Sequence, residues 1–233
     1  MGRERLSIIM AVYNEKDNLL KVLKKIEKVE VGLGKEIIIV DGCSTDGTRE
    51  ILKGIDGQNI KVIFEEERKG KGFALRTGFA NATGDIILIQ DADLEIDPFD
   101  YPVLLKPILT GAVSVVYGSR FARGRGKTDL INYLGNFGIT KIANILFGAQ
   151  LTDIETCYKV FRPKVIKNMK FLCNGFEFDA ELTASILKRK IPIQEVPISY
   201  HPRNKKEGKK LHWTVGVTSL LAIIRCWLFS DNV

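Results

Sequence analysis

Five short apolar runs limit what this chain can fold into. LSIIMAV (6–12), EIIIV (36–40), KVIFE (61–65), DIILIQ (85–90) and VSVVYGS (113–119) are rich in β-branched residues, and helical patterns separate them. Between the first two, Leu19, Leu20, Val22, Leu23 and Ile26 fall on one helical face, with Asn14 as the expected N-cap. Ser44-Thr45-Asp46-Gly47-Thr48 supplies turn and cap chemistry before a helix around 48–54, and a helix from about 71 to 82 ends at Gly84. A helix over 101–110 precedes the fifth strand, and the basic, glycine-rich stretch 122–130 reads as a loop. A helix over 132–147, with Leu134, Phe137, Ile142, Ile145, Leu146 and Phe147 apolar, and further strand and helix material over 158–199 complete the pattern. Continuous apolar strands alternating with helices predict an α/β fold, a mostly parallel sheet covered on both faces.

The same pattern says where chemistry can sit. In an open parallel sheet, ligands bind beyond the carboxyl ends of the strands, near a reversal in strand order. Four polar clusters fall at such ends: Tyr13-Asn14-Glu15, Asp41-Gly42-Cys43-Ser44, Glu65-Glu66-Glu67 and Asp91-Ala92-Asp93. Period-two geometry aims Asp91 and Asp93 one way and Ala92 the other. Mg2+ and Mn2+ take oxygen ligands, commonly one or two carboxylates plus substrate phosphates. A carboxylate pair shared with a diphosphate neutralises charge on a leaving group; taken alone, D-x-D is also a common surface turn. Gly70-Lys71-Gly72 ahead of a helix fits either an anion site or a flexible turn. There is no G-x-x-x-x-G-K-[ST], no G-x-G-x-x-G after the first strand and no G-x-S-x-G, which argues against a P-loop nucleotidase, a dinucleotide-dependent dehydrogenase and a serine hydrolase.

Composition narrows the partners. With 233 residues, 45% of them hydrophobic, and no repeat or low-complexity stretch, the chain can build one core of ordinary size. A net charge of +7 fits an acidic partner such as a nucleotide, a phosphate or an anionic lipid, and equally a plain solvated surface. Basic residues interleaved with aromatics are too sparse for nucleic-acid readout. Cys43, Cys157, Cys173 and Cys226 lie far apart with no C-x-x-C, and only His201 and His212 could join them, so neither a zinc site nor a disulfide framework is expected and a reducing compartment fits. No signal-peptide h-region follows Met1, and Leu6 stands where a myristoylation pattern wants Ser or Thr.

Near the end, HPRNKKEGKK (201–210) leads into LHWTVGVTSLLAIIRCWLF (211–229). Arg225 interrupts this apolar stretch, which falls short of the roughly 20 clean residues a spanning helix needs. A basic loop feeding a Trp-bearing apolar helix fits an interfacial anchor, and it fits equally a helix buried in the core or in a partner.

Taken in order, SIIMAVYNE, IIIVDGCSTDGT, GKGFALRTG, ATGDIILIQDADL and VVYGSRF resemble the family 2 glycosyltransferases with the GT-A fold, and among them the dolichyl- or polyprenyl-phosphate hexose synthases. LTDIETCYKVFR, GFEFDAEL, EVPISYHPR and EGKK continue the resemblance over nearly the whole chain. It implies a GT-A catalytic domain over 1–210 and a membrane-interfacial helix over 211–233. It further implies that Ala11, Tyr13, Glu15, Asp41 and Lys71 line the nucleotide-sugar pocket with Asp91, Ala92 and Asp93, and that Asp91 and Asp93 hold Mg2+ or Mn2+. In the synthases resembling dolichyl-phosphate mannose synthase a Gln commonly follows D-A-D-L; Glu95 stands there here and can join the metal. Arg120 and Arg203 would meet phosphates, with Lys206, Lys209 and Lys210 near the acceptor, and Asp153 would face the site as a base or an orienting group. Ala11 replaces the usual Pro of the first motif.

The implied reaction is inverting transfer of a hexose from a nucleotide diphosphate sugar, GDP-mannose, UDP-glucose or another, to dolichyl or polyprenyl phosphate. The enzyme would be peripheral on the cytoplasmic side of an anionic membrane, with room for a membrane-spanning partner. Two alternatives stay open at this point: a family 2 glycosyltransferase for a saccharide acceptor, which puts more weight on Asp153 as base, and a non-catalytic subunit that binds nucleotide or membrane.

Overall fold

A computed structural model of the chain describes residues 4–126, 128–203 and 213–229. Its sheet has seven strands: β1 (Arg5–Val12), β2 (Gly34–Asp41), β3 (Ile60–Phe64), β4 (Ile86–Ile89), β5 (Val115–Ser119), β6 (Lys159–Phe161) and β7 (Gln194–Pro197). They lie in the order β3-β2-β1-β4-β6-β5-β7, and only β6 runs antiparallel to its neighbours. The strand order reverses between β1 and β4, which places the D-A-D end of β4 next to the Tyr13-Asn14-Glu15 end of β1.

Burial explains the unbroken apolar runs. Ile8, Ile9 and Met10 of β1 and all of β4 are inaccessible or nearly so, as strands covered on both faces must be. β3, at the sheet edge, is only half buried and leaves Phe64 36% exposed. Of the helices α1 (Leu19–Lys28), α2 (Thr48–Lys53), α3 (Lys71–Asn81) and α4 (Tyr101–Leu109), α3 packs on β1 and β2, and α4 packs on β5, β6 and β7. Asn18, not Asn14, precedes α1; Asn14 instead holds a left-handed turn with φ of 51°.

The C-terminal half adds α5 (Leu130–Phe147), α6 (Phe178–Lys188) and α7 (Trp213–Leu228). α7 lays Ala222 and Ile223 inward and packs on α6 and α5, so this apolar helix joins the folded body along one side. α5 is amphipathic in the inverted sense. Its buried residues are Asn136, Thr140 and Ala143, while Leu130, Ile131, Leu134, Phe137 and Ile145 are exposed. Val217, Leu221 and Trp227 on α7 are exposed as well. Among the described residues no helix is long and apolar enough to cross a membrane.

Candidate active site

The end of β4 is pinned before it turns acidic. Gln90 is fully buried; its Oε1 accepts hydrogen bonds from the hydroxyls of Tyr101 and Tyr158, both at 2.8 Å, and its Nε2 donates to the Asp91 carbonyl at 2.9 Å. Ala92 packs into the core, and the flanking aspartates meet different cations. Asp91 pairs with Lys71 at 3.1 Å, and Asp93 pairs with Arg203 at 2.6 Å. Arg203 also meets Glu15 at 3.3 Å and Glu95 at 3.6 Å, and its backbone N–H donates to Glu95 at 2.9 Å. One guanidinium therefore gathers carboxylates from the ends of two adjacent strands. Burial pushes the Asp93 carboxyl up to about 7, Asp91 and Glu95 add to the shift, and Arg203 opposes it.

Lys71 is the first residue of α3, and the glycines around it serve close packing. A Cβ on Gly70 would fall 2.4 Å from the Asn174 carbonyl oxygen, and one on Gly72 would fall 2.6 Å from Cβ of Phe178. The amides of Gly72 and Phe73 donate to the carbonyls of Gly175 and Asn174, so this helix start spends two of its N–H groups on the protein itself and not on an anion. What remains directed at the site is the Lys71 ammonium, which bridges Asp91 and Asp179, each at 3.1 Å. Asp179 in turn takes the buried Lys159 at 2.9 Å. Burial disfavours the Lys71 charge, but Asp179 and Asp91 outweigh it and raise its pKa well above the ordinary value.

Toward the sheet edge, the ends of β1, β2 and β3 form a second polar group. Asp41 is inaccessible and paired with Arg49 at 3.0 Å, so its carboxylate is a buried ion-pair partner and is not open to solvent. Arg49 also donates to the Glu65 carbonyl at 2.8 Å, and the Arg68 guanidinium stacks over the Tyr13 ring at 4.2 Å. Ala11 lies on β1, opposite Val40.

Beyond β5, Arg120 reaches both oxygens of Asp153, at 2.7 Å each. The Arg120 amide and the Asn136 side chain donate to the same carboxylate at 3.0 and 2.9 Å. Asp153 is thus inaccessible and fully engaged, an anchor for Arg120 and Asn136. Two residues on, Glu155 has a buried Oε1 with no hydrogen-bond partner; burial and the nearby Asp179 push its carboxyl up to about 7, against Lys159 and Arg120. Lys206, Lys209 and Lys210 lie outside the described residues.

The structure therefore brings Glu15, Lys71, Asp91, Asp93, Glu95 and Arg203 together, and holds Asp41 and Arg120–Asp153 as separate buried pairs. Sequence reasoning left Gln90, Asp179, Lys159 and Glu155 without roles. A lysine inside the apolar run Y-K-V-F was the available signal, since a buried lysine needs a counter-charge. The donor set at the β4 end is all carboxylate oxygen, which suits a hard divalent cation. Among the described residues no three acidic, His or Cys side chains converge as a finished metal shell.

The chain is 29% identical over 204 residues to the low-salt glycan biosynthesis hexosyltransferase Agl6 of Haloferax volcanii, covering 85% of this chain and 48% of that protein. It is 29% identical over 218 residues to the dolichol-phosphate mannosyltransferase of Pyrococcus furiosus, covering 88% of this chain and 59% of that one. The chain thus spans about half to three-fifths of the length of these relatives. Glucosyl-3-phosphoglycerate synthase from Mycobacterium tuberculosis, solved with Mn2+, UDP and phosphoglyceric acid, superposes with a TM-score of 0.75 at 20% identity, over 99% of this chain and 81% of that one, which shows a shared GT-A fold. The model of the family described as glycosyl transferase family 2 matches residues 7–169, and the chain belongs to that family.

Proposed function

We propose that the protein transfers a hexose, with inversion, from a nucleotide diphosphate sugar to dolichyl or polyprenyl phosphate at the cytoplasmic face of a membrane. The observation that carries this reading is the double use of α5. Its inward Asn136 holds the Asp153 carboxylate that fixes Arg120, and its outward Ile131, Leu134 and Phe137 are exposed. One helix thus links the cation that this reading assigns to the acceptor phosphate with a surface suited to lipid. The name of the Pyrococcus furiosus relative supports a lipid phosphate acceptor.

In this reading Asp91 and Asp93, with Glu95, hold Mg2+ or Mn2+, which neutralises charge on the departing diphosphate. Lys71 adds positive charge beside Asp91 on the donor side, and Tyr13, Glu15 and Ala11 border the nucleotide. Arg120, Arg203 and Lys206, Lys209 and Lys210 receive the acceptor phosphate. A phosphate monoester has a second pKa near 6 and is already largely dianionic at neutral pH, so its oxygen attacks without a strong base. Asp153, with both oxygens engaged, orients Arg120. Positioning and charge neutralisation supply most of the acceleration.

A panel of radiolabelled sugar nucleotides against polyprenyl phosphates, with Mn2+ or Mg2+, tests the reaction. Label is expected to pass into organic solvent, and Asp93→Asn is expected to lower the rate about 100-fold or more. Label appearing only on soluble saccharides would overturn the acceptor assignment. The surface is tested separately, by flotation with anionic liposomes. The double substitution Ile131→Glu and Phe137→Glu removes about 3 kcal/mol or more of apolar burial, so the protein is expected to bind vesicles at least about a hundredfold more weakly. Equal flotation of both proteins would move the lipid contact off α5.

A further inference from the structure

Glu65, the first residue after β3, is buried in a way the proposed chemistry does not use. The residue is 7% exposed, both carboxylate oxygens are inaccessible, and neither has a hydrogen-bond partner. Its neighbour Asp41 is matched by Arg49; burial pushes the Glu65 carboxyl up, the ammonium and the backbone amide of the exposed Lys69 oppose this, and Asp41 adds to it. A buried carboxylate with only the Lys69 amide beside it is under-satisfied, and its remaining acceptor capacity is explained most simply by a donor that arrives with a ligand.

Its position says which ligand. The Glu65 amide donates to the Asp41 carbonyl at 2.9 Å, which ties the end of β3 to the end of β2. The point where Gly42 would carry a Cβ lies 3.8 Å from Oε2 of Glu65 and 4.0 Å from Cβ of Tyr13. Glu65, Gly42 and Tyr13 therefore converge at the carboxyl ends of three adjacent strands, on the nucleotide side of the cleft. The Tyr13 ring already carries a planar group, the Arg68 guanidinium, at 4.2 Å. A flat base that replaced Arg68 on that ring would bring its edge toward Glu65.

A carboxylate offers two parallel acceptors and no donor. Guanine presents two parallel donors on one edge, N1–H and the C2 amino group, and matches it as a guanidinium does. Uracil presents one N–H between two carbonyls, which would face the carboxylate with like charge. Adenine and cytosine each present an amino group beside an acceptor nitrogen. We propose that Glu65 reads the base of the donor nucleotide and selects guanine, so that the donor is a guanosine diphosphate sugar. This rests on the reading of the cleft as a nucleotide-sugar site.

Isothermal titration of the whole protein with GDP, IDP and UDP in Mg2+ tests it, because IDP lacks only the C2 amino group. The wild-type protein is expected to bind GDP at least tenfold more tightly than IDP or UDP. Glu65→Gln is expected to weaken GDP at least tenfold and bring the GDP-to-IDP ratio close to one. Equal binding of GDP and IDP by the wild type, a preference for UDP, or an equal loss of GDP and UDP in Glu65→Gln would overturn the assignment. The wild-type comparison stands even if the variant fails to fold. Absence of binding by all three nucleotides would overturn the nucleotide-sugar reading itself, and this inference with it.

Discussion

Asp179→Asn is expected to lower the melting temperature by about 6–20 °C. Asp179 is 4% exposed and takes two ammonium groups, Lys71 at 3.1 Å and Lys159 at 2.9 Å. Lys159 is itself inaccessible, with the Tyr117 ring 5.1 Å away. Removing one member of a buried ionic set costs about 3–5 kcal/mol, because it leaves a buried charge unmatched. In a domain of this size each kcal/mol moves the midpoint by about 2–4 °C. Burial alone would raise the Asp179 pKa, yet Lys159 and Lys71 overcome it and hold the carboxyl below its ordinary value. Its contribution is therefore present above the unfolded pKa, near 4, and is lost as pH falls through the folded one. Thermal melts at pH 7 and in acid check both parts. The wild type should lose stability on acidification more steeply than the variant, and the gap between them should narrow. A melting temperature within 2 °C of wild type at pH 7 would show the network to be dispensable.

The sequence yields the sheet and the acidic strand ends because both are local patterns. Runs such as IIIV and IILI are read without knowing what covers them, and Asp91 and Asp93 follow directly from the end of β4. The partners of those acids come from far along the chain. Arg203 lies 110 residues from Asp93, and Lys71 lies 108 residues from Asp179, so no spacing rule links them. Burial misleads at other positions for the same reason. Asp153 reads as a base or an orienting group, and only the fold shows Arg120 and Asn136 occupying both of its oxygens. The apolar residues of α5 show in the sequence as one side of a helix, and only the fold shows that Asn136 and Thr140 face inward while Phe137 is 54% exposed. Period alone gives a helix two faces; it does not say which one the protein keeps.

Arg203→Ala is expected to bind Mn2+ at least tenfold more tightly than wild type in the absence of nucleotide. Arg203 contacts Glu15, Asp93 and Glu95 at 3.3, 2.6 and 3.6 Å. It thus serves as the counter-ion of Asp93 and Glu95, two of the carboxylates that would hold a divalent cation, and the two cations would compete for those oxygens. A charge-assisted hydrogen bond of this kind is worth about 1.5–3 kcal/mol, and about 1.4 kcal/mol is already a factor of ten in affinity. The same competition would bring the guanidinium into play for the acceptor. Once displaced from Asp93, Arg203 is free to meet an incoming phosphate, so donor binding would precede acceptor binding. Titration of free Mn2+ by electron paramagnetic resonance measures the affinity without turnover, and thermal shift supplies a second readout. Arg203→Ala should start with a lower melting temperature than wild type and gain more on adding Mn2+, since its carboxylates have lost their resident charge. Asp93→Asn should abolish the gain in either background. Equal Mn2+ affinity in wild type and Arg203→Ala would mean that the guanidinium and the metal do not share these oxygens, and the coupling between donor and acceptor sites would have to run through other residues.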